Sequence, residues 1–171
     1  MLKIVLIIFM LICFFLLGEE LYRSFKKKYS DISDLVKVLE VLNMQLEFGL
    51  YTLEEVFEKV GYKKEFNISY FFEMLSMKLK ENNKSLDDIV KESTYIITQK
   101  TNLGINEIDE ITNLINNLGK SDYYSQKRII NLAIENLKKN EKEAFLEIKT
   151  KGILYKKLSL TMGFLLVIIF L

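Results

Sequence analysis

The residues in this chain that could do chemistry are few, and their spacing narrows the choice further. Gly119-Lys120-Ser121 has the ending of a phosphate-binding loop, in which backbone N–H groups and a lysine cradle phosphates. Such a loop also needs a glycine five residues before Gly119, where the chain has Leu114, and a preceding strand, where the apolar spacing is helical. The adjacent acids Glu54-Glu55 and Asp87-Asp88 could be drawn as acid/base pairs. At the start of a helix they more simply favour the macrodipole, by roughly 0.3–1 kcal/mol each. The aromatic run around Tyr62 to Phe72 could stack bases, yet without excess Lys or Arg a packed core or a partner groove fits it better. Histidine is absent and Cys13 is the sole cysteine, so a disulfide framework, a Cys/His zinc site and any histidine base are excluded. No catalytic constellation, cofactor motif or metal-ligand spacing remains, and the reading is of a protein that is not an enzyme.

The elements that would position these residues are read from apolar periodicity. Leu35, Leu39, Leu42 and Leu46 make a helical stripe over 31–48, which Gly49 would stop and which could continue an upstream span directly. Thr52-Leu-Glu-Glu55 has capping-box form and starts a short second helix to Val60, ended by Gly61. Ile68, Phe71, Leu75 and Leu79 mark a third, closing near Asn82-Asn83. Ser85-Leu-Asp-Asp88 begins a fourth that Leu86, Ile89, Val90 and Ile97 carry to about Lys100. Asn106 is the expected cap of a fifth, striped by Ile108, Ile111, Ile115 and Leu118 and ended by Gly119. From a Ser121 or Asp122 cap, one long sixth helix runs to the end of the chain, its stripe formed by Ile130, Ile134, Leu137, Ala144 and Ile148, with Ala133 and Phe145 alongside. Proline is absent, so nothing breaks these helices. The second and fourth starts, Tyr51 to Val56 and Lys84 to Ile89, share a hydroxyl cap, a leucine, two acids and an aliphatic, which is either an internal repeat or the common form of a capped amphipathic helix.

The two ends differ from the middle. The first 17 residues hold one charged side chain, Lys3, and 158–171 holds none. No small-x-small cleavage site follows the first run, and the residues before Cys13 are too large for a lipoprotein signal, so a retained membrane helix is expected there. Residues 4–17 give only about 21 Å of helix against about 30 Å of hydrocarbon. Taking in 1–3, and letting Arg23 and Lys26 snorkel, brings the span close to adequate; Lys156 and Lys157 do the same for the second run. Lysines and arginine flank the inner side of both runs (Arg23, Lys26, Lys27, Lys28, then Lys149, Lys151, Lys156, Lys157), whereas Lys3 alone lies outside. The positive-inside rule then places the middle in the cytoplasm and both termini outside it, with anionic lipid drawing the lysines.

The expected fold is therefore all-α: a six-helix bundle with N- and C-terminal transmembrane helices, the last helix long and continuous into the membrane. The expected domains are an N-terminal span at 1–22, a cytoplasmic bundle at 23–152 and a C-terminal span at 153–171. Between the spans, residues 18–157 carry 23 basic and 23 acidic side chains, a neutral balance that argues against nucleic acid as a partner. The distribution is uneven: 29–122 has 17 acids against 10 bases, while 123–157 has 9 bases against 4 acids.

Taken as a whole, the chain resembles the stage III sporulation protein AB family of endospore-forming bacteria. The resemblance rests on the short N-terminal span, Glu47-Phe48-Gly49-Leu50-Tyr51-Thr52-Leu53, and then Leu118-Gly119-Lys120-Ser121-Asp122 followed by Ser125-Gln126-Lys127 and Leu132-Ala133. It ends with Tyr155-Lys156-Lys157-Leu158 and the terminal span. Its most specific part is Leu-Gly-x-x-Asp-x-x-x-Gln, here Leu118, Gly119, Asp122 and Gln126. The histidine and proline that the family often carries are replaced by Leu50 and Leu53, and its Arg-Pro helix start is missing. The family is in turn similar to the cytoplasmic helical domains of inner-membrane platform proteins in type II secretion and type IV pilus machines. The resemblance implies a non-enzymatic membrane component of a secretion-like complex between mother cell and forespore. Its expected cytoplasmic partner is a hexameric ATPase, stage III sporulation protein AA, alongside other members of the complex, and homo-oligomers are permitted. Candidate interface residues are that motif together with the acids Glu54, Glu55, Asp87 and Asp88. A reading from another class, a membrane-anchored helical sensor binding a small ligand or partner helix, calls for a pocket with convergent polar groups.

Overall fold

The computed structural model describes residues 2–47, 51–62, 64–81, 83–118, 120 and 122–170, without the side chains of 2–4, Tyr123 and Phe170. Among the described residues there is no strand; the chain runs through α1 (Leu2–Glu47), α2 (Leu53–Tyr62), α3 (Ser69–Glu81), α4 (Leu86–Lys100), α5 (Ile105–Leu118) and α6 (Tyr123–Glu147). A π-helical segment (Ile148–Gly152) then leads without a break into α7 (Ile153–Phe170), so the long last helix is present. Two compact units result: Met1–Tyr29 with Glu143–Leu171, and Ser30–Lys142.

In the Ser30–Lys142 unit the predicted stripes are the core. Leu35, Leu39 and Leu42 of α1, Phe71 and Leu75 of α3, Ile111 and Ile115 of α5, and Ile130 and Leu137 of α6 are fully buried. Ion pairs and hydrogen bonds between helices give their directions. Lys138 reaches Glu40 at 2.7 Å and Asn43 donates to Asn131 at 3.1 Å, so α1 and α6 run antiparallel. Lys80 meets Glu58 at 2.7 Å while Lys64, just past α2, meets Glu73 at 3.1 Å, which sets α2 against α3. Lys78 and Lys84 both bind Glu92, which sets α3 against α4. Phe57 and Phe72 fill the α2–α3 seam with ring centroids 5.6 Å apart.

Two helix boundaries differ from the sequence reading. Gly61 does not stop α2 but lies within it, because a Cβ there would sit 2.6 Å from Glu73 Cα and 2.9 Å from Glu73 Cβ and would also press on Glu73 N; glycine lets α2 and α3 close together. Asn106 does not cap α5. The helix starts at Ile105, and buried Glu107 reaches back to accept from Gly104 N–H at 2.8 Å, the carboxylate half of a capping box with no hydroxyl partner. The expected stops at Gly49, Asn82 and Gly119 and the cap at Ser121 lie outside the described residues.

In the other unit, 2–29 and 143–170 also run antiparallel, and small residues let them approach. A Cβ on Gly18 would lie 3.0 Å from Ser159 Cβ, one on Gly163 would lie 3.1 Å from Phe14 Cβ, and one on Gly152 would lie 3.2 Å from the Tyr22 ring. Ser159 Oγ donates to the Phe14 carbonyl at 2.6 Å, a polar bond of the kind that joins apolar helices. Tyr29 packs on Phe145 at 5.7 Å, so Phe145, expected in the buried stripe, is instead partly exposed beside a ring. The π turn at 148–152 opens one extra residue per turn where Gly152 meets Tyr22, and no periodicity in the sequence announces it. Both long helical stretches are long and apolar enough to cross a membrane, and Phe9, Leu16, Phe164 and Ile168 are more than half exposed.

Candidate partner interface

The sequence-predicted residues of the bundle converge on one of its ends. Because α1 pairs antiparallel with α6, and α2, α3 and α4 alternate in direction, the starts of α2, α4 and α6 face the same way as the ends of α1, α3 and α5. Two ties fix this. Lys120, at the α5–α6 corner, holds Asp87 at 2.8 Å, and Lys127 of α6 pairs with Glu47 at the end of α1. Glu54, Glu55, Asp87, Asp88, Leu118, Asp122 and Gln126 all belong to that end.

Each has a local task that follows from helix physics. Thr52 Oγ1 accepts from Glu55 N–H at 3.3 Å while Glu55 Oε2 accepts from Thr52 N–H at 2.7 Å, a reciprocal capping box for α2. Ser85 Oγ accepts from Asp88 N–H at 3.3 Å and donates to Asp88 Oδ2 at 2.6 Å, capping α4. Asp122 caps α6: its Oδ1 accepts from Ser125 N–H at 3.1 Å and its Oδ2 from the Ser125 hydroxyl at 2.8 Å. The Ser125 backbone N–H, followed by the Ser125 hydroxyl, holds the Asp122 carboxyl below its usual range. Gln126 Nε2 then donates to the Leu118 carbonyl at 2.9 Å, filling one of the acceptors that the end of α5 leaves open. Leu118 itself is fully buried.

The Leu-Gly-x-x-Asp-x-x-x-Gln motif is thus the wiring of a tight helix-to-helix corner, with Leu118 as its apolar anchor; Gly119 lies outside the described residues. Glu54 is the exception among the acids. It is half-buried in the first turn of α2, with no hydrogen bond or ion pair to any described residue. Beside this end, Glu92 is gripped by Lys84 and Lys78, which lowers its carboxyl to about 2 and raises the Lys84 ammonium.

In the membrane-helix unit the flanking charges are partly neutralised. Glu19 accepts from Lys156 at 2.6 Å and lies 3.5 Å from Arg23; Glu147 takes Lys151 at 2.6 Å and Lys28 at 3.8 Å. Lys26 and Lys156 sit over the Tyr22 ring at 5.0 and 5.2 Å. Lys27 and Lys157 remain exposed.

Sequence reasoning missed Asp31. It is 4% exposed, accepts from Asn67 Nδ2 at 3.2 Å and from Asn102 N–H at 2.6 Å, and so ties α1 to the α2–α3 and α4–α5 connections at the opposite end of the bundle. No group of His, Cys, Asp or Glu among the described residues could hold a metal ion.

The family model for stage III sporulation protein AB matches residues 3–171. The chain belongs to the stage III sporulation protein AB family. A solved structure of a stage III sporulation protein AB resembles it with a TM-score of 0.65 and 20% identity, covering 71% of this chain and 96% of that one. At that identity the likeness shows the fold alone. Among curated proteins none matches the sequence.

Proposed function

We propose that this member of the stage III sporulation AB family is a non-enzymatic membrane platform. Its apolar ends would form a hairpin in the cell membrane on the mother-cell side, at 1–22 and 153–171, and its bundle would lie in the cytoplasm. The bundle would dock a cytoplasmic secretion ATPase, stage III sporulation protein AA, to a channel between mother cell and forespore. The observation that carries the reading is the family match over residues 3–171, combined with two membrane-length apolar helices. The acidic end of the bundle supports the choice of docking surface, since Glu54, Glu55, Asp87, Asp88 and Asp122 gather there.

The test is co-purification of the full chain with the ATPase from detergent. Glu54→Lys is the informative variant, because Glu54 alone among these acids has no part in a described cap or ion pair. A platform docking through this end loses at least half of the captured ATPase; unchanged capture rejects the surface. Charge reversal at Glu55, Asp87 or Asp88 would also strip a cap or the Lys120 tie, so those variants need a matched unfolding measurement.

A further inference from the structure

A hollow of about 550 Å³ lies along one face of α1 in the membrane-helix unit, lined by Cys13, Leu16, Leu17, Glu19, Glu20 and Arg23. Gly18 and Tyr22 meet the last long helix at Ser159 and Gly152. Glu20, two residues from each, is turned roughly 160–200° from them around α1, so this face looks away from the helical partner. Toward the N-terminus the hollow is apolar: Leu16 and Leu17 are each 58% exposed, and Cys13 is half-buried beside them. In a span at 1–22 such side chains lie against acyl chains.

The other end is charged, and its charges are unequally satisfied. Glu19 accepts from Lys156 at 2.6 Å and lies 3.5 Å from Arg23 Nε. The Arg23 side chain is 69% exposed, and its terminal N–H groups remain for another acceptor. Glu20 is exposed and makes no ion pair or hydrogen bond with any described residue; the positions of this unit outside the description are confined to its two chain ends. An unpaired carboxylate and a guanidinium thus stand three residues apart on one helix face, with about 5–6 Å between their Cβ atoms.

We infer that this hollow holds a phospholipid whose headgroup joins its phosphate to a primary ammonium, the phosphate on Arg23 and the ammonium on Glu20. The charges select that class. A headgroup with a phosphate alone would meet Arg23 but set a second negative charge beside Glu20, and a quaternary ammonium has no N–H to donate to the carboxylate. A two-carbon link between phosphate and ammonium suits the spacing of the two side chains. Lys27, exposed one turn beyond Arg23 on the same face, adds positive charge on the phosphate side. The inference rests on the membrane reading of the apolar ends and is independent of the ATPase docking.

The test reconstitutes the full chain in nanodiscs of equimolar phosphatidylethanolamine and phosphatidylcholine with identical acyl chains. Lipids that stay bound when the protein is released are counted by native mass spectrometry. Both lipids are zwitterionic, so the general pull of the flanking lysines on anionic lipid drops out of the comparison. Phosphatidylethanolamine is retained about two- to fivefold over phosphatidylcholine. Glu20→Gln, which has no protein contact to lose, brings that ratio to about one. Arg23→Gln lowers retention of both lipids about twofold or more, and Lys157→Gln, an exposed charge on the other helix, leaves the ratio unchanged. Equal retention of the two lipids by the native chain, an unchanged ratio in Glu20→Gln, or lipid-free dimers in place of lipid adducts would overturn the assignment. Failure of the chain to enter nanodiscs at all would reject the membrane reading and this site with it.

Discussion

Replacing Gly61 by alanine sets two effects of opposite sign against each other at one position. Gly61 is the last residue but one of α2, where alanine is favoured over glycine by at most about 1 kcal/mol, so propensity alone predicts a more stable protein. The packing says otherwise. The new Cβ would stand 2.6 Å from Glu73 Cα and 2.9 Å from Glu73 Cβ. The obstacle includes the α3 backbone, which cannot swing aside as a flexible side chain would. The two helices must part by roughly 1 Å to restore ordinary contact, and the seam they would open holds Phe57 against Phe72 at 5.6 Å. Overpacking of this kind costs about 1–3 kcal/mol and here falls at the upper end, so the net change is a loss of about 2 kcal/mol. For a bundle of this size that lowers the unfolding temperature by about 8 °C. Thermal and urea unfolding of the full chain, followed by circular dichroism, reads the change. A neutral or stabilising Gly61→Ala would show that α2 and α3 are not in the close register described above.

Three further outcomes follow from other parts of the structure. Asp31→Ala leaves the Asn102 N–H without its acceptor and removes the tie to Asn67, so it destabilises by about 2–3 kcal/mol, whereas Asp31→Asn, which keeps one acceptor oxygen, costs less; urea midpoints compare the two. Glu92 has its carboxyl lowered from 4.5 to about 2 by Lys84 and Lys78, so its contribution is present above pH 4.5 and is lost as pH falls from 4.5 towards 2. Glu92→Gln should flatten that part of the stability profile and leave the slope above pH 5 unchanged. Ser159→Leu removes the bond to the Phe14 carbonyl and places a bulky side chain against Gly18, so disulfide crosslinking between cysteines introduced at 14 and 163 falls severalfold in membranes.

The long elements were legible because burial imposes a period. Leu35, Leu39 and Leu42 in α1 and Ile111, Ile115 and Leu118 in α5 repeat at three or four residues, and all six are fully buried. The caps at Thr52 and Ser85 were legible for a related reason: a hydroxyl and an acid three residues apart can satisfy each other without help from elsewhere. What the sequence concealed depends on distance along the chain. Gly61 reads as a stop signal until Glu73 is known to lie against it, and Asp31 is an ordinary surface acid until Asn67 and Asn102 fold onto it. The start of α5 was placed at Asn106 for a different reason, since a cap made only by the Glu107 carboxylate on the Gly104 N–H leaves no hydroxyl to find. At the candidate interface the work of one motif residue was legible and that of another was not. Asp122 was expected as a cap of α6 and is one, whereas Gln126 was found by resemblance alone, and the structure gives it the local job of closing the α5–α6 corner.

The central claim is that both apolar ends enter one membrane from the same side, with the bundle between them in the cytoplasm. Single cysteines placed at Leu2 and Phe170 in a Cys13→Ser background, with a third at exposed Tyr95, can be challenged with a membrane-impermeant maleimide on intact cells. The account predicts labelling at 2 and 170 from outside, and labelling at 95 only after permeabilisation. Protection of either terminus, or labelling of position 95 on intact cells, would contradict it.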